Sequence, residues 1–239
     1  MTIILKNLSI IYLMMNELAL SLYRQLVDLD HQMLLAVNGM HSTYWDTFMW
    51  LVSDKYMWIP LYVALVYVIF RNHSLKAFLW CAVAIGVMIL FTDAFTASVL
   101  KSSFARLRPA NTDNPLSAMV HVVNGYRGGR YGFPSNHASN CWGIAFFIVL
   151  LFRQKWLSMF MAVWAMTVCY SRMYLGVHYP GDILVGMLLG LVGAWTVYRV
   201  FVRLTGVYVE TGQKHIYIPL YVGLLTMFCL FAASFFYRI

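Results

Sequence analysis

Long apolar segments alternate with short polar segments along most of the chain. Six of the apolar segments approach the roughly 20 residues that a helix needs to cross a bilayer. Tryptophan and tyrosine recur near their ends, as is typical of residues at the membrane–water interface. The pattern predicts an all-α integral membrane protein, with about six transmembrane helices in one domain over residues 56–239. The predicted spans are Tyr56–Phe70, Leu75–Leu100, His137–Phe152, Trp156–Tyr174, Asp182–Val202 and Tyr217–Tyr237.

The first 55 residues carry a weaker pattern. Leu26–Leu51 mixes apolar residues with acids such as Asp28, Asp30 and Asp46. Because a charge at the centre of a spanning helix is costly, we expect residues 1–55 to form helices that lie along the outer interface. Ile3–Leu22 is either another such helix or a weak seventh span.

Composition supports the bilayer as solvent. The chain is 62% hydrophobic and 11% charged, whereas a soluble domain carries about 25% charged residues. The net charge of +8 comes from bases that lie between apolar segments, so it does not indicate a nucleic-acid partner, and no protein partner is implied. The four cysteines lie within apolar segments without paired spacing, which argues against a disulfide framework or a zinc site.

Short basic loops predict the orientation. Arg71–Lys76, Arg153–Lys155 and Arg199–Lys214 are all basic, which favours the cytoplasmic side. Lys101–Asn136 and Tyr174–Gly181 then face outward. Lys101–Asn136 is itself basic, against the usual tendency, and a functional need for cations explains this.

Three polar clusters converge on that outer face. Lys101 to Arg108-Pro109 follows the second span, Pro134-Ser135-Asn136-His137 opens the third, and Ser171-Arg172, His178 and Asp182 join the fourth to the fifth. Arginine matches phosphate oxygens, and a helix start such as that after Ser135 attracts anions. The clusters predict a phosphate site.

Histidines supply the chemistry at this site. Asp182 can accept a hydrogen bond from one ring nitrogen of His178, which leaves the other nitrogen free to attack phosphorus. His137 is the candidate general acid for the leaving oxygen. The cations Lys101, Arg108 and Arg172 would neutralise transition-state charge. Since no carboxylate cluster is available for Mg²⁺, we expect catalysis without a metal or other cofactor.

The pattern K-x6-R-P, P-S-x-H, S-R-x5-H-x3-D resembles the type 2 phosphatidic acid phosphatase family. The resemblance implies a phosphohistidine mechanism, with His178 as nucleophile, His137 as acid and base, and Asp182 as the partner of His178. It also implies a phosphate site formed by Lys101, Arg108, Ser135, Asn136 (through its backbone) and Arg172. Asn136 replaces the glycine that is usual in this family, which places a side chain at the rim of the pocket.

Other polar residues have less specific interpretations. Arg127 and Arg130, among glycines and tyrosines, are candidate contacts for a lipid headgroup. Arg106 is either a headgroup anchor or a functional cation. Asp93, inside the second span, is expected to pair with Arg172 or Arg108.

The lipid is less well determined than the reaction. Candidates are lipid A, undecaprenyl diphosphate, phosphatidylglycerophosphate and phosphatidic acid. Val123–Ser135 and Asn38–Asp46 are similar to segments of bacterial lipid A phosphatases, which would imply a bacterial inner membrane and a periplasmic site. An anionic-lipid transporter is the alternative from another class, although no internal repeat supports it. A haloperoxidase-like oxidant fits the membrane setting poorly.

Overall fold

The computed structural model describes residues 2–207, 213–237 and 239, without the side chains of residues 2–13 and 97. Its regular elements are helices, apart from an isolated bridge between Leu107 and Tyr131. The main helices are α1 (Thr2–Asn38), α2 (Thr43–Ser53), α3 (Ile59–Asn72), α4 (Leu75–Phe95), α5 (Asn136–Phe152), α6 (Lys155–Tyr174), α7 (Pro180–Thr205) and α8 (Ile218–Phe236).

The helices give an all-α membrane protein, but the predicted count of six spans is not established. In the described part of the chain, α4 with its extension to Phe104, α7 and α8 are each long and apolar enough to cross a bilayer. The bent pair Thr43–Ser53 and Lys55–Asn72, with an angle of 66°, could form a fourth span. α5 is apolar but has only 17 residues, and α6 is more polar because it ends in site residues such as Arg172.

The outer surface of the bundle is apolar. Val63 on α3, Leu90 on α4, Val192 on α7 and Phe228 on α8 are each at least 63% exposed. A water-soluble monomer rarely exposes contiguous apolar patches of more than a few hundred Å². Lipid is therefore the natural solvent for this surface.

α5 lies at the centre of the bundle and packs on α4, α6 and α7. Its contact with α7 is unusually close: a Cβ atom at Gly186 would lie 2.4 Å from the carbonyl oxygen of Ser135, and one at Gly190 would lie 2.3 Å from that of Ser139. Small residues four apart on one helix face permit such an approach. This contact holds the amino-terminal ends of α5 and α7 together, and both ends carry site residues.

α4 continues beyond its predicted end. A π-helical turn, Thr96–Leu100, leads into a final turn, Lys101–Phe104. A π turn holds more residues than an α turn and so changes which face the following residues occupy. Lys101 is positioned by this turn.

α1 is one continuous helix, whereas the sequence indicated separate segments on either side of residues 23–25. Tyr23, Arg24 and Gln25 contain no helix breaker, and the helix ends only before Gly39. Its carboxyl-terminal half contacts α6 and α7, with Leu34 fully buried. The interfacial placement of residues 1–55 stays a prediction. Residues 208–212 of the basic segment Arg199–Lys214 lie outside the described residues.

Candidate active site

The three polar motifs meet at one end of the bundle. Lys101, at the end of the α4 extension, lies within electrostatic reach of Arg108, Arg172 and Asp182. His137, in the first turn of α5, lies within reach of the same cations and of His178. The residues that the sequence assigned to a phosphate site are therefore neighbours, although they come from separate segments.

Asp182 is the most heavily coordinated side chain of the site. It lies in the first turn of α7 with 0% of its side chain exposed. Its Oδ2 accepts from the backbone nitrogen of Tyr179 at 3.0 Å and faces His178 Nδ1 at 3.4 Å. Its Oδ1 accepts from Arg106 Nη1 at 2.9 Å. A buried carboxylate needs such donors because burial otherwise disfavours its charge.

The contacts of His178 define which ring nitrogen carries the proton. Nε2 lies 3.0 Å from Arg108 Nη1, which also donates to the carbonyl of Val177 at 3.1 Å. A guanidinium can only donate, so Nε2 accepts and carries the lone pair. In the neutral ring the proton then lies on Nδ1, which faces Asp182. This tautomer leaves Nε2 available for attack.

The surroundings of His178 also keep the ring neutral. Burial, followed by the cations Arg108, Arg172 and Lys101, holds the pKa of His178 well below its usual value of 6.5, against a smaller opposing effect of the Gly132 backbone. A protonated imidazole has no lone pair with which to attack. The site thus favours the nucleophilic form at neutral pH.

Arg108 and Arg172 are buried cations with unused donors. Arg172, 3% exposed, donates to Ser53 Oγ and to the Tyr126 hydroxyl at 3.3 Å. In both arginines the buried Nε has no hydrogen-bond partner. Burial, with the charge of Arg172, lowers the pKa of Arg108 to about 10. Orphan donors on cations are unfavourable without an anion, and phosphate oxygens would satisfy them.

The start of α5 is built as a helix cap. Ser135 Oγ accepts from the Ala138 nitrogen at 3.4 Å, and the Ser135 nitrogen donates to the carbonyl of Asp182 at 3.0 Å. The first backbone N–H groups of a helix have no intrahelical partner, so those after Ser135 can bind an anion. This position matches the predicted role of the Asn136 backbone, a role that stays a prediction.

Asp93 does not pair with an arginine, so that expectation was wrong. Its Oδ1 accepts from Asn136 Nδ2 and Asn140 Nδ2, both at 3.0 Å. The two asparagines are four apart on α5, so both amides face α4. Arg172 and Arg108 are directed instead to Ser53 and His178. The side chain of Asn136 is thus anchored to α4.

Two cavities meet at His137. A cavity of about 300 Å³ is lined by Ser53, Tyr126, His137 and Arg172, among others. A mainly apolar cavity of about 490 Å³ extends from His137 between α3, α4 and α5. Lys55 lines both cavities and was not anticipated. Arg172 thus borders the first cavity, whereas the lining of the second is mainly apolar.

The remaining sequence candidates lie on the loop between α4 and α5. Arg127 donates to the carbonyl of Ala110 at 2.6 Å. Arg130 is exposed, 3.6 Å from Asp113. Their role as headgroup contacts stays a prediction.

Sequence reasoning missed several partners. Ser53 and Tyr126 hold Arg172, and Asp30 on α1 pairs with Arg106. Of these residues, only Arg106 could have been singled out from the sequence, because it lies within the first motif, between Lys101 and Arg108. Among the described residues there is no group of three or more His, Cys, Asp or Glu that could hold a metal ion.

Comparison with known proteins yields a consistent group. Residues 81–205 match the model of the PAP2 superfamily. The chain is 42% identical to a lipid A 4′-phosphatase of Bacteroides thetaiotaomicron, covering 84% of this chain and 93% of that protein. It is 33% identical to a lipid A 4′-phosphatase of Porphyromonas gingivalis, covering 74% of each.

A solved structure has a similar fold. It is the crystal structure of a transmembrane PAP2-type phosphatidylglycerolphosphate phosphatase from Bacillus subtilis. The TM-score is 0.56 at 24% sequence identity, covering 75% of this chain and 88% of that one.

Proposed function

The chain belongs to the PAP2 superfamily, and on that premise we propose that it removes the 4′-phosphate of lipid A. It is a membrane lipid phosphatase. The observation that carries the phosphatase reaction is the buried His178, whose Nε2 accepts from Arg108 and lies in the field of Arg108, Arg172 and Lys101. The apolar cavity that begins at His137 can take an acyl chain of the lipid.

His178 begins the reaction. Nε2 attacks phosphorus and forms a P–N bond while the bond to the lipid oxygen breaks. Arg108, which donates to Nε2, turns its N–H groups to the phosphate oxygens. Lys101 and Arg172 neutralise the remaining charge on those oxygens. Asp182 holds Nδ1–H throughout and stabilises the ring as positive charge develops on it.

His137 moves the protons. It gives a proton to the departing lipid oxygen and so releases the lipid alcohol. It then takes a proton from water, whose oxygen attacks the phosphohistidine. The P–N bond breaks, inorganic phosphate leaves, and His178 returns to its neutral form.

The choice of lipid A rests on the relatives. Both lipid A 4′-phosphatases match most of this chain, and the coverage extends beyond the residues of the catalytic motifs. Undecaprenyl diphosphate and phosphatidylglycerophosphate are the competing substrates, since a phosphohistidine mechanism can act on either. A transporter would have no use for a buried His178–Asp182 pair.

The membrane arrangement is part of the proposal. The proposed six spans are α3 with the turn before it, α4, α5, α6, α7 and α8, and the proposed active site faces the periplasm of a bacterial inner membrane. The basic loops at 71–76 and 153–155 lie at the opposite ends of the helices that carry the site. Positive charge of this kind favours the cytoplasmic side.

A comparison of substrates tests the proposal. The purified protein in detergent is given lipid A, undecaprenyl diphosphate, phosphatidylglycerophosphate and phosphatidic acid, and released phosphate is measured. We expect the highest kcat/KM for lipid A, with mass spectrometric fragments that place the loss on the sugar bearing the 4′-phosphate. His178→Ala is the matched control for contaminating phosphatases. Higher kcat/KM on another lipid, or loss of the 1-phosphate, would contradict the substrate, and no release from any lipid would contradict the function.

A further inference from the structure

Arg106 links two carboxylates from distant parts of the chain. Its Nη1 lies 2.9 Å from Asp182 Oδ1 and its Nη2 lies 2.5 Å from Asp30 Oδ2. Its guanidinium also stacks 3.9 Å from the ring centre of Tyr179. With both terminal nitrogens and one face engaged inside the protein, Arg106 is not a headgroup anchor. Burial lowers the pKa of Arg106, but the carboxylates of Asp182 and Asp30 raise it by more, so that the pKa lies above its usual value.

Asp30 connects α1 to the same corner of the site. Its Oδ1 accepts from the backbone nitrogen of Gly181 at 2.7 Å, in the first turn of α7. One carboxylate thus holds both the helix that carries Asp182 and the arginine that binds Asp182. The side chain of Asp30 is only 13% exposed, so water screens the pair weakly.

We propose that Asp30 and Arg106 are positioning residues for the nucleophile, acting through Asp182. The proposal rests on the phosphatase mechanism above. Arg106 orients Asp182 by binding its Oδ1, so that Oδ2 faces His178. Asp30 draws part of the Arg106 charge away from Asp182, which leaves Asp182 a strong enough acceptor to hold Nδ1–H. An amino-terminal helix outside the matched family region therefore contributes to catalysis.

The charges around Asp182 make the proposal specific. The groups that act on it are Arg106 from the loop between α4 and α5, with Asp30 behind it, His178 and Tyr179 from the turn before α7, and the charges of Arg108 and Lys101. Removing a cation from this set makes the His178–Asp182 pair easier to protonate. Removing an anion makes the same pair harder to protonate. Substitutions at Arg106 and Asp30 should consequently shift the acid limb of the pH profile in opposite directions.

Four variants test this, each purified in detergent and assayed on short-chain phosphatidic acid and on the best lipid substrate. Asp30→Asn keeps the acceptor for Gly181 but removes the charge, and Asp28→Asn is its control, because Asp28 is exposed on the same helix. Arg106→Gln removes the cation, while Arg106→Lys keeps it.

We expect Asp30→Asn and Arg106→Gln each to lower kcat by about tenfold, the effect of one partly buried ionic contact. KM should stay within about twofold, because neither residue touches phosphate. The acid limb should move to lower pH in Asp30→Asn and to higher pH in Arg106→Gln. Arg106→Lys should keep the wild-type limb, and Asp28→Asn should match wild type throughout.

A merely structural link would give a different result. Asp30→Asn with the kcat and pH profile of Asp28→Asn, or limbs that move in the same direction, would overturn the proposal. So would a raised KM at unchanged kcat, which indicates a headgroup contact. A wild-type enzyme that releases no phosphate from either substrate would instead overturn the proposed function. If Arg106→Gln does not fold, the contrast between Asp30→Asn and Arg106→Lys still decides the question.

Discussion

Replacing Asp182 with asparagine should remove the reactive tautomer of His178. The carboxylate accepts from three donors, on Arg106, Tyr179 and His178. An amide offers one oxygen and one NH₂ group, so the donors on one side of the side chain must face the NH₂ group. Arg106 is a cation and takes the oxygen. The NH₂ group then points at Nδ1 of His178, which accepts, and the proton moves to Nε2 once Arg108 has turned from Nε2 to the phosphate oxygens. The nitrogen that must attack phosphorus loses its lone pair.

The expected size of the effect comes from the lost contacts. A hydrogen bond to a charged group contributes roughly 1.5–3 kcal/mol. Asp182→Asn loses two on Oδ2, to His178 and to the Tyr179 backbone, which amounts to roughly 3–6 kcal/mol if both act on the reactive geometry. That corresponds to a decrease of about 10²–10⁴ in kcat. The Tyr179 bond also caps α7, so a smaller loss of thermal stability should accompany the change.

The assay is phosphate release per folded enzyme, with kcat and KM measured separately. KM should change little, because Asp182 does not touch the phosphate in the proposed mechanism. Asp113→Asn, on the exposed loop between α4 and α5, controls for a general effect of the substitution. An Asp182→Asn enzyme that keeps more than about a tenth of the wild-type kcat would refute the tautomer argument, since even one lost charged hydrogen bond exceeds that.

Four further predictions concern the same site. His178→Ala should abolish turnover in a protein that still folds and inserts, and a residual rate of more than a few per cent would exclude His178 as the nucleophile. EDTA should leave the rate nearly unchanged while vanadate, which can adopt five-coordinate geometry on Nε2, inhibits; loss of activity on chelation that Mg²⁺ restores would contradict metal independence. Burial and nearby cations hold the pKa of His178 well below 6.5, so its neutral form persists on acidification. The value of kcat/KM should therefore show no loss from this residue down to about pH 6. A decrease of kcat/KM with a midpoint near pH 6.5 that moves in Arg108→Gln would contradict this reading. In a cysteine-free background, an impermeant maleimide applied to intact cells should label Ala118→Cys and not Ser74→Cys, both exposed positions, and the reverse pattern would place the site in the cytosol.

The contact between His178 and Asp182 could be predicted because its geometry is local. His178 and Asp182 are four residues apart across a turn that begins a helix, so the chain itself brings them together. Ser135 at the start of α5 is a similar case, since a serine before an apolar helix is a common cap. The apolar segments likewise predicted where the helices lie, because a helix that crosses the lipid must be apolar over most of its length.

The sequence by itself therefore determined the all-α membrane architecture and the reaction class, and it named residues that the structure brings together at one end of the bundle. Only the tertiary structure decided how those residues are held. Arg172 donates to Ser53, 119 residues away in the sequence, and Arg106 donates to Asp30, 76 residues away. Asp93 pairs with asparagines and not with an arginine. Such partners depend on how whole helices pack, for example on the close contact that Gly186 permits between α5 and α7. No short-range pattern records that packing, because the energy that selects it is spread over many contacts between residues far apart in the chain.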